Sequence, residues 1–361
     1  MSRGSRPGPR GMAPGPLGTL GPMLESQVRP SGADGFAASS GGPDVSIAVA
    51  TRDRPLRLRW LLNALLEQTY PPERFDVWVA HDSVSEEVGQ MLDAHPLRTG
   101  GQLQVLSFPS RSQLAGAKRN AAWRASRAPL VLFTDDDCRP SPDWLAQAVQ
   151  AARAQPQAIL QGRTLPDPDE SAILRGAPWA HTVRIDPPTT WAETCNIAYP
   201  RALLEQLGGF EEHRRVGEDT DLAIRGQESG TPLVAVPAMV VYHAVVERSL
   251  VAAVRAAQRW GDMAWLARQH PAVRRDMSGR IFWSPEQAAL VAALAGAGVA
   301  RRRPAAWALA LPWLGLSLRH RGYGPRGLAR SVTELPGRAA IDLSALWALT
   351  RASLRYRTVL L

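Results

Sequence analysis

The fold is decided by one stretch of sequence, LVLFTDDD, which occupies residues 130–137. Its first four residues are apolar, and an apolar run of this length between polar residues predicts a buried strand over Leu130–Thr134. The strand delivers three adjacent carboxylates, Asp135–Asp137, to its C-terminal end. Because open α/β sheets bind ligands at the carboxyl ends of their strands, this end is a candidate functional site.

The three aspartates predict a cation site if they face one another. Each ionised carboxylate raises the cost of ionising its neighbour, and a bound cation removes that cost. Carboxylate oxygens are ligands that suit Mg²⁺ or Mn²⁺. The alternative interpretation is a solvated acidic loop, and the triplet alone leaves both open.

The flanking sequence alternates between strand and helix patterns. Apolar runs bounded by turn residues predict strands at Val45–Ala50, Asp76–Ala80, Leu103–Phe108, Ala158–Arg163, Glu193–Tyr199 and Leu233–Tyr242. Helical spacing predicts helices at Leu56–Gln68, Ser85–Ala94, Ala115–Ala125, Pro142–Ala154, Arg201–Leu207 and Asp219–Ser229. Strands that alternate with helices of this length indicate an α/β fold with a mostly parallel, doubly wound sheet.

The N-terminal segment, residues 1–43, differs in composition from the rest. It contains 17 Gly or Pro residues, and such a segment buries too little apolar surface to offset its chain entropy. We therefore predict a disordered tail, with Met12 or Met23 as possible starts of translation. The tail lacks the apolar run of a signal peptide, and the chain has only two cysteines, Cys138 and Cys195. Both features predict a protein of the reducing cytoplasm.

The C-terminal third is basic and helical. From Ala244 onward, 18 arginines face 6 acidic residues, whereas residues 44–243 carry a net charge of −5. Helices are predicted at Leu250–His270, Pro285–Val299, Ala305–Arg319, Gly327–Val332 and Leu343–Arg357. Their apolar stretches are shorter than the roughly 20 residues that span a bilayer. A basic amphipathic last helix favours contact with an anionic membrane surface, and helices packed on the globular domain or a short membrane hairpin are the alternatives.

Five segments occur in an order that resembles the family 2 glycosyltransferases. They are VSIAVATRDR (45–54), QTYP (68–71), GAKRN (116–120), FTDDDCRPSPDWL (133–145), and GGF (208–210) with GEDTDL (217–222) and Arg225. Together they cover some 200 residues from Val45 to His243. The resemblance implies the GT-A fold, a Rossmann-like sheet with flanking helices, as a catalytic domain at residues 44–245. A helical, membrane-associated region would follow at residues 246–361.

The resemblance also implies a site for a nucleotide-sugar donor. The residues placed there by the family's motifs are Thr51, Asp53, Asp82, Lys118, Asp135 and Asp136. Asp82 would accept a hydrogen bond from the base, although His81 replaces the first acid of the family's usual pair. A turn-forming aspartate is the alternative for Asp82, and a solvated or ion-paired lysine is the alternative for Lys118.

By the same resemblance, Asp137 and His243 would bind Mg²⁺ or Mn²⁺ at the donor's diphosphate. Asp219 would be the general base that removes the proton of the acceptor hydroxyl, with Glu218 supporting the acceptor. Acidic residues also cap helices, which is the alternative for this pair. Asp221 and Arg225 are expected to pair with each other at the i,i+4 spacing.

These expectations predict a metal-dependent, inverting glycosyltransferase that acts on a glycan or lipid-linked acceptor, in the cytoplasm at the inner face of the cell membrane. A sugar nucleotidyltransferase is one alternative, although the loop of residues 51–54 lacks the glycines that such enzymes usually carry. A non-catalytic membrane-associated protein with the same fold is another. Nucleic acid is not an expected partner, because the apolar stretches between the C-terminal arginines fit lipid better than phosphate.

Overall fold

The computed structural model describes residues 41–321 and 324–361. The predicted disordered tail therefore lies outside the described residues, apart from its last three positions. The described chain forms two compact units. We call residues 41–170 with 183–244 the sheet unit, and residues 171–182 with 245–361 the helical unit.

The sheet unit is built on a mixed sheet that has eight strands over the described residues. In chain order the strands are β1 (Val45–Thr51), β2 (Phe75–His81), β3 (Leu103–Ser107), β4 (Leu130–Asp135), β5 (Cys138–Pro140), β6 (Ile159–Pro166), β7 (Ile197–Pro200) and β8 (Leu233–His243). Their spatial order is β3-β2-β1-β4-β7-β6-β8-β5. Strands β3, β2, β1 and β4 run parallel, as do β6 and β8, whereas β7 and β5 pair antiparallel with their neighbours. The predicted α/β fold with a mostly parallel sheet is thus confirmed, with two antiparallel strands added.

Helices cover both faces of this sheet. They are α1 (Pro55–Leu66), α2 (Glu86–Asp93), α3 (Pro96–Thr99), α4 (Ala115–Ala125), α5 (Trp144–Ala154), α7 (Arg201–Leu207) and α8 (Glu218–Glu228); α6 (Ser171–Gly176) lies in the helical unit. Alternate residues of β4 point to opposite faces, so Leu130 and Leu132 pack in the cluster beneath α1, α2 and α5. Val131 and Phe133 pack in the cluster beneath α4, α7 and α8. Because β4 is buried on both faces, it reads as a continuous apolar run.

The helical unit continues with α9 (Leu250–Ala257), α10 (Asp262–Gln269), α11 (Pro285–Val299), α12 (Leu311–Leu318) and α13 (Pro325–Tyr356). The single helix predicted for Leu250–His270 is wrong, since a 3₁₀ segment at Gln258–Gly261 separates α9 from α10. A Cβ at Gly261 would lie 3.0 Å from the carbonyl oxygen of Ala348, so this glycine lets α13 approach closely.

The end of the chain also differs from the prediction. The helices expected at Gly327–Val332 and Leu343–Arg357 are joined in the 32-residue α13, which passes through Pro336. Proline removes one helical hydrogen bond, and packing on both sides offsets that loss. Leu335 and Ala339 contact the apolar cluster of Trp313 and Leu290, which belong to α12 and α11. In the described residues, the helices are too short or too polar to cross a bilayer.

Candidate active site

The aspartate triplet lies where β4 ends and turns into β5. Asp135 is the last residue of β4, and the next two aspartates form the turn. Strand β5 pairs with the end of β8, so that Cys138 faces His243, and the amide of Ala244 donates to the carbonyl of Asp137 at 2.8 Å. This pairing brings His243 Nε2 to 3.5 Å from Asp137 Oδ1. Residues about 100 positions apart in the chain therefore meet because of β5, a strand that the sequence analysis did not predict.

The side chains at this turn fit a divalent cation. Donor atoms of Asp137, Cys138 and His243 all lie within 4.8 Å of one another. A carboxylate oxygen and an imidazole nitrogen are ligands that Mn²⁺ accepts, and the carboxylate also suits Mg²⁺. Asp137 and His243 were both predicted as metal ligands, whereas no ligand role was predicted for Cys138. It is 2% exposed and not in a disulfide.

Arg54, which follows β1, supplies positive charge to the same turn. Its Nη1 lies 3.0 Å from Asp136 Oδ1 and 2.8 Å from Asp137 Oδ2. Burial, together with the charge of Asp137, raises the pKa of Asp136 to about 6. Burial also opposes ionisation of Asp137, yet the charges of His243 and Arg54 lower the pKa of that carboxyl below its usual value. The sequence analysis missed Arg54, although it lies in the quoted loop beside Asp53.

The predicted donor-site residues Thr51 and Lys118 also come together at the end of β1. Thr51 Oγ1 donates to Asp136 Oδ2 at 2.6 Å. The buried Nζ of Lys118, on α4, donates to the carbonyl of Thr51 and to Asp82 Oδ1, both at 2.8 Å. Burial lowers the pKa of Lys118, although the hydrogen bond to Asp82 opposes this. Lys118 is thus ion-paired with Asp82, and its contact with a donor stays a prediction.

Asp82 is fully buried and its carboxylate is saturated by protein donors. It accepts from Lys118, from Nε and Nη2 of Arg52, and from the amide of Gln113. These hydrogen bonds outweigh burial and hold the pKa of Asp82 far below its usual range. In this structure, Asp82 therefore organises Arg52 and Lys118. Its contact with a nucleotide base stays a prediction, and Arg52 is a second arginine of the first loop that the sequence analysis missed.

Asp53 has an exposed carboxylate in a strained backbone position. Its φ of 52° lies in the left-handed region, which non-glycine residues seldom occupy. Its Oδ1 accepts from the amides of Val84 at 2.7 Å and Ser85 at 3.2 Å, and these bonds lower its pKa. Asp53 thus ties the loop after β1 to the loop after β2, which shapes the proposed donor site.

The candidate base lies in the first turn of α8. Arg119 on α4 connects this turn to the triplet: its Nη1 lies 2.9 Å from Glu218 Oε1 and its Nη2 lies 2.7 Å from Asp135 Oδ1. Its side chain and that of Glu218 are less than a tenth exposed. Within the described residues, Glu218 Oε2 has no hydrogen-bond partner. A buried arginine therefore connects Asp135, at the end of β4, with the start of α8.

Asp219, beside Glu218, has an environment that favours proton uptake. Burial and the neighbouring charge of Glu218 raise its pKa well above the usual value. Its Oδ1 accepts from the amide of Thr220 at 2.8 Å, while Thr220 Oγ1 donates to the carbonyl of Trp191. Gly217 is the N-cap residue of α8 and has no side chain to cap it. The Asp219 carboxylate thus satisfies one amide of the first turn, and its role as a base stays a prediction.

The i,i+4 pair predicted on α8 is confirmed. Arg225 Nη2 lies 2.8 Å from Asp221 Oδ2, and the same guanidinium donates to the carbonyls of Leu207 and Gly209. This pair fixes α8 to the end of α7. It therefore stabilises the position of α8 and has no part in the proposed chemistry.

Comparison with known proteins relates this chain to a protein family. The profile described as glycosyl transferase family 2 matches residues 46–208, and that described as glycosyl transferase family group 2 matches residues 130–320, more than half of the chain. Validoxylamine A glucosyltransferase from Streptomyces hygroscopicus subsp. limoneus is 26% identical in an alignment 231 residues long, which covers 54% of this chain and 50% of that protein. The O-antigen biosynthesis protein RfbC from Myxococcus xanthus is 27% identical over 54% of this chain and 17% of its own length.

Among solved structures, the mannosyltransferase PcManGT from Pyrobaculum calidifontis, in complex with GDP-Man and Mn²⁺, is similar with a TM-score of 0.53. The similarity covers 87% of this chain and 88% of that one at 20% identity, so it concerns the fold. This chain spans about half the length of the glucosyltransferase it matches, and less of RfbC. The profile that matches more than half of the chain shows that the chain belongs to glycosyl transferase family group 2, and its fold is the GT-A fold.

Proposed function

We propose that this enzyme is a metal-dependent, inverting glycosyltransferase that moves a sugar from a nucleotide-sugar donor to an acceptor hydroxyl. One observation carries the proposal. Arg119 joins Asp135 to Glu218. The carboxylate–imidazole pair of Asp137 with His243 lies two residues beyond Asp135, and the proton-accepting carboxylate of Asp219 is next to Glu218. Direct displacement at a sugar carbon needs these two functions on opposite sides of the bond that breaks.

Asp137 and His243 would hold a divalent cation at the donor's diphosphate. Such a cation supplies positive charge where the leaving nucleoside diphosphate gains negative charge, which stabilises the transition state more than the ground state. Thr51, Asp135 and Asp136 lie at the adjoining strand ends, where they would contact the nucleoside. Lys118 and Asp53 would set the shape of that side of the cleft through the contacts described above.

Asp219 would perform the proton transfer. As the acceptor oxygen bonds to the anomeric carbon, the bond from that carbon to the β-phosphate oxygen breaks, and the hydroxyl proton passes to the Asp219 carboxylate. The departing diphosphate keeps the electron pair of the broken bond. Because attack comes from the side opposite to the leaving group, the configuration at the anomeric carbon inverts. The raised pKa of Asp219 makes it a stronger base than an ordinary carboxylate.

We further propose a glycan or lipid-linked acceptor at the cytoplasmic face of the cell membrane, with the helical unit touching anionic lipid. The support is twofold. The helical unit carries most of the chain's net positive charge, and RfbC is by its name a protein of O-antigen biosynthesis. Basic surfaces near apolar side chains bind anionic leaflets through both charge and burial.

The experiment compares Asp137→Asn with wild type in two measurements. Calorimetric titration with Mn²⁺ and a nucleoside diphosphate should detect binding to wild type and at least a tenfold loss in the variant, because a metal ligand is removed. Transfer or slow hydrolysis of a matching nucleotide-sugar should fall in parallel. Asp186→Asn is the matched control, since Asp186 is an exposed acid of the same unit paired with Arg163.

Equal Mn²⁺ affinity in wild type and Asp137→Asn would contradict the metal assignment. Release of a sugar 1-phosphate in place of a nucleoside diphosphate would contradict glycosyl transfer and favour nucleotidyl transfer. Retention of the anomeric configuration in the product would contradict the inverting mechanism.

A further inference from the structure

The part of the helical unit around the end of α11 exposes an unusual amount of apolar surface. We call residues 294–312 the hairpin tip; they include the end of α11, a tight turn, a 3₁₀ segment at Pro304–Ala310 and the start of α12. Its exposed large side chains, with their exposed fractions, are Leu294 (46%), Val299 (50%), Trp307 (60%), Leu309 (46%) and Leu311 (64%). Leaving five such side chains in water is costly, so a contact that covers them would be favourable.

The hairpin tip is a rigid feature of the fold. A Cβ at Gly296 would lie 2.5 Å from the carbonyl oxygen of Ala306, so this glycine allows the two arms to touch. The amides of Arg302 and Arg303 both donate to the carbonyl of Val299 at 3.0 Å, which closes the turn. Beyond the tip, Trp313 Nε1 donates to Asp342 of α13 at 3.0 Å. These backbone contacts fix the conformation of the tip, in which the apolar side chains are exposed.

The charge around the hairpin tip selects among possible partners. Arg301, Arg302 and Arg303 are exposed at the turn, and residues 287–333 contain seven arginines and no acidic residue. In a symmetric dimer through this surface, like charges would face each other. An anionic lipid surface complements both features, because its phosphates attract the arginines while its acyl region covers the apolar side chains. The phosphates of a nucleic acid would pair with the arginines but would leave the apolar side chains in water.

We propose that the hairpin tip is the membrane-docking element of this enzyme, with the arginine triplet at the lipid phosphates and the tip's exposed apolar side chains below them. The helix α11 has 15 residues, or about 22 Å, which is less than the hydrocarbon thickness of roughly 30 Å. The contact is therefore interfacial. This inference locates the membrane contact suggested under the proposed function and rests on that contact, but not on the transfer chemistry.

The last helix, α13, is the competing docking element. It exposes five large apolar side chains, whereas Leu346 packs toward the cluster of Trp313. With their exposed fractions, these five are Leu328 (45%), Val332 (53%), Leu343 (43%), Trp347 (65%) and Leu354 (78%). Both elements expose five large apolar side chains, but those of α13 are spread over 32 residues and those of the tip lie within 19, so the tip is the denser of the two. Arginines on α13 are also interrupted by the acids Glu334 and Asp342.

The test uses the full-length protein and co-sedimentation with vesicles of phosphatidylcholine that contain phosphatidylglycerol. At about 1 kcal/mol for each arginine near an anionic surface, Arg301→Gln/Arg302→Gln/Arg303→Gln should weaken binding on the order of 100-fold. Trp307→Ser should weaken it on the order of tenfold, through lost apolar burial. The matched controls on α13 are Arg351→Gln/Arg355→Gln/Arg357→Gln, with the same change of charge, and Trp347→Ser; both should bind within about twofold of wild type.

Circular dichroism and the melting temperature establish that each variant is folded. If wild type does not bind these vesicles, the membrane contact itself fails, and this inference with it. If wild type binds and the tip variants bind equally well, or if Trp347→Ser loses binding where Trp307→Ser does not, only the location in the hairpin tip is overturned. Loss of a dimer on ultracentrifugation of Trp307→Ser, with vesicle binding unchanged, would identify the tip as a contact between copies and overturn the proposal.

Discussion

At the scale of single residues, the carboxylates of Asp137 and Asp219 differ in their proton affinity. Nearby His243 and Arg54 lower the pKa of Asp137 despite its burial. Burial and Glu218 raise the pKa of Asp219 well above its usual value. A cation ligand has to be ionised, whereas a base works best when its pKa approaches the working pH. The charges around each residue therefore match the roles proposed for them.

The first prediction concerns Asp219→Asn. Turnover should fall by about 10²–10⁴-fold, the usual contribution of a general base. Binding of the donor with Mn²⁺ should persist, because the substitution leaves Asp137 and His243 in place. The melting temperature at neutral pH should not fall, since a buried charge beside Glu218 is removed and an amide oxygen can still accept from Thr220. Kinetics, calorimetry and thermal denaturation test these three expectations.

The pH profile gives the same prediction a second readout. The base is active only when ionised, so kcat/KM should fall as the pH drops through the raised pKa of Asp219. This acid limb should therefore lie at higher pH than an ordinary carboxylate would give. The residual activity of Asp219→Asn should lack the limb. A profile with the limb unchanged in that variant would assign the titration, and with it the base, to another group.

At the scale of elements, a buried arginine on α4 ties β4 to the start of α8. Arg119 pairs with Asp135 and Glu218, and the charges of these acids raise its own pKa further despite burial. Arg124, five residues later on α4, instead forms an exposed pair with Glu212 at 3.1 Å. The two arginines therefore provide a matched comparison of a buried and an exposed ion pair on one helix.

We predict that Arg119→Met destabilises the protein by about 3–5 kcal/mol, because two carboxylates are left without their buried partner. Arg124→Met should cost less than about 1 kcal/mol, as is usual for exposed pairs. Denaturant unfolding followed by circular dichroism measures both values. An equal loss of unfolding free energy in the two variants would show that the buried Asp135–Arg119–Glu218 bridge contributes no more to stability than an exposed ion pair.

The elements show what the sequence analysis could and could not find. Strands β1 and β4 were predicted nearly to the residue, because both are buried on their two faces and so read as apolar runs. Strand β5 has only three residues, Cys138–Pro140, and its pairing with β8 is not encoded in any local pattern. The break between α9 and α10 and the continuity of α13 were also missed, because packing of distant residues decides both.

At the scale of the whole molecule, ligand binding should increase the free energy of unfolding. We predict that a nucleoside diphosphate added together with Mn²⁺ raises the melting temperature, since a ligand at 100 times its Kd adds about 2.7 kcal/mol to the free energy of unfolding. The nucleoside diphosphate or Mn²⁺ alone should have a smaller effect, because each ligand supplies part of the binding site for the other. Differential scanning fluorimetry across several nucleotides would also identify the preferred base. The absence of any shift with all of them would contradict a nucleotide site.

The amino-acid sequence by itself determined the α/β fold class, the position of the aspartate triplet at a strand end, and the residues that resemble the family's motifs. These features depend on local patterns of apolar and charged side chains, which can be recognised from the order of residues along the chain. Only the tertiary structure decided that His243 meets Asp137, that Arg54 and Arg119 neutralise the acids, and that Asp82 is saturated. Such contacts join residues far apart in the chain, and their geometry follows from how the strands pair and the helices pack.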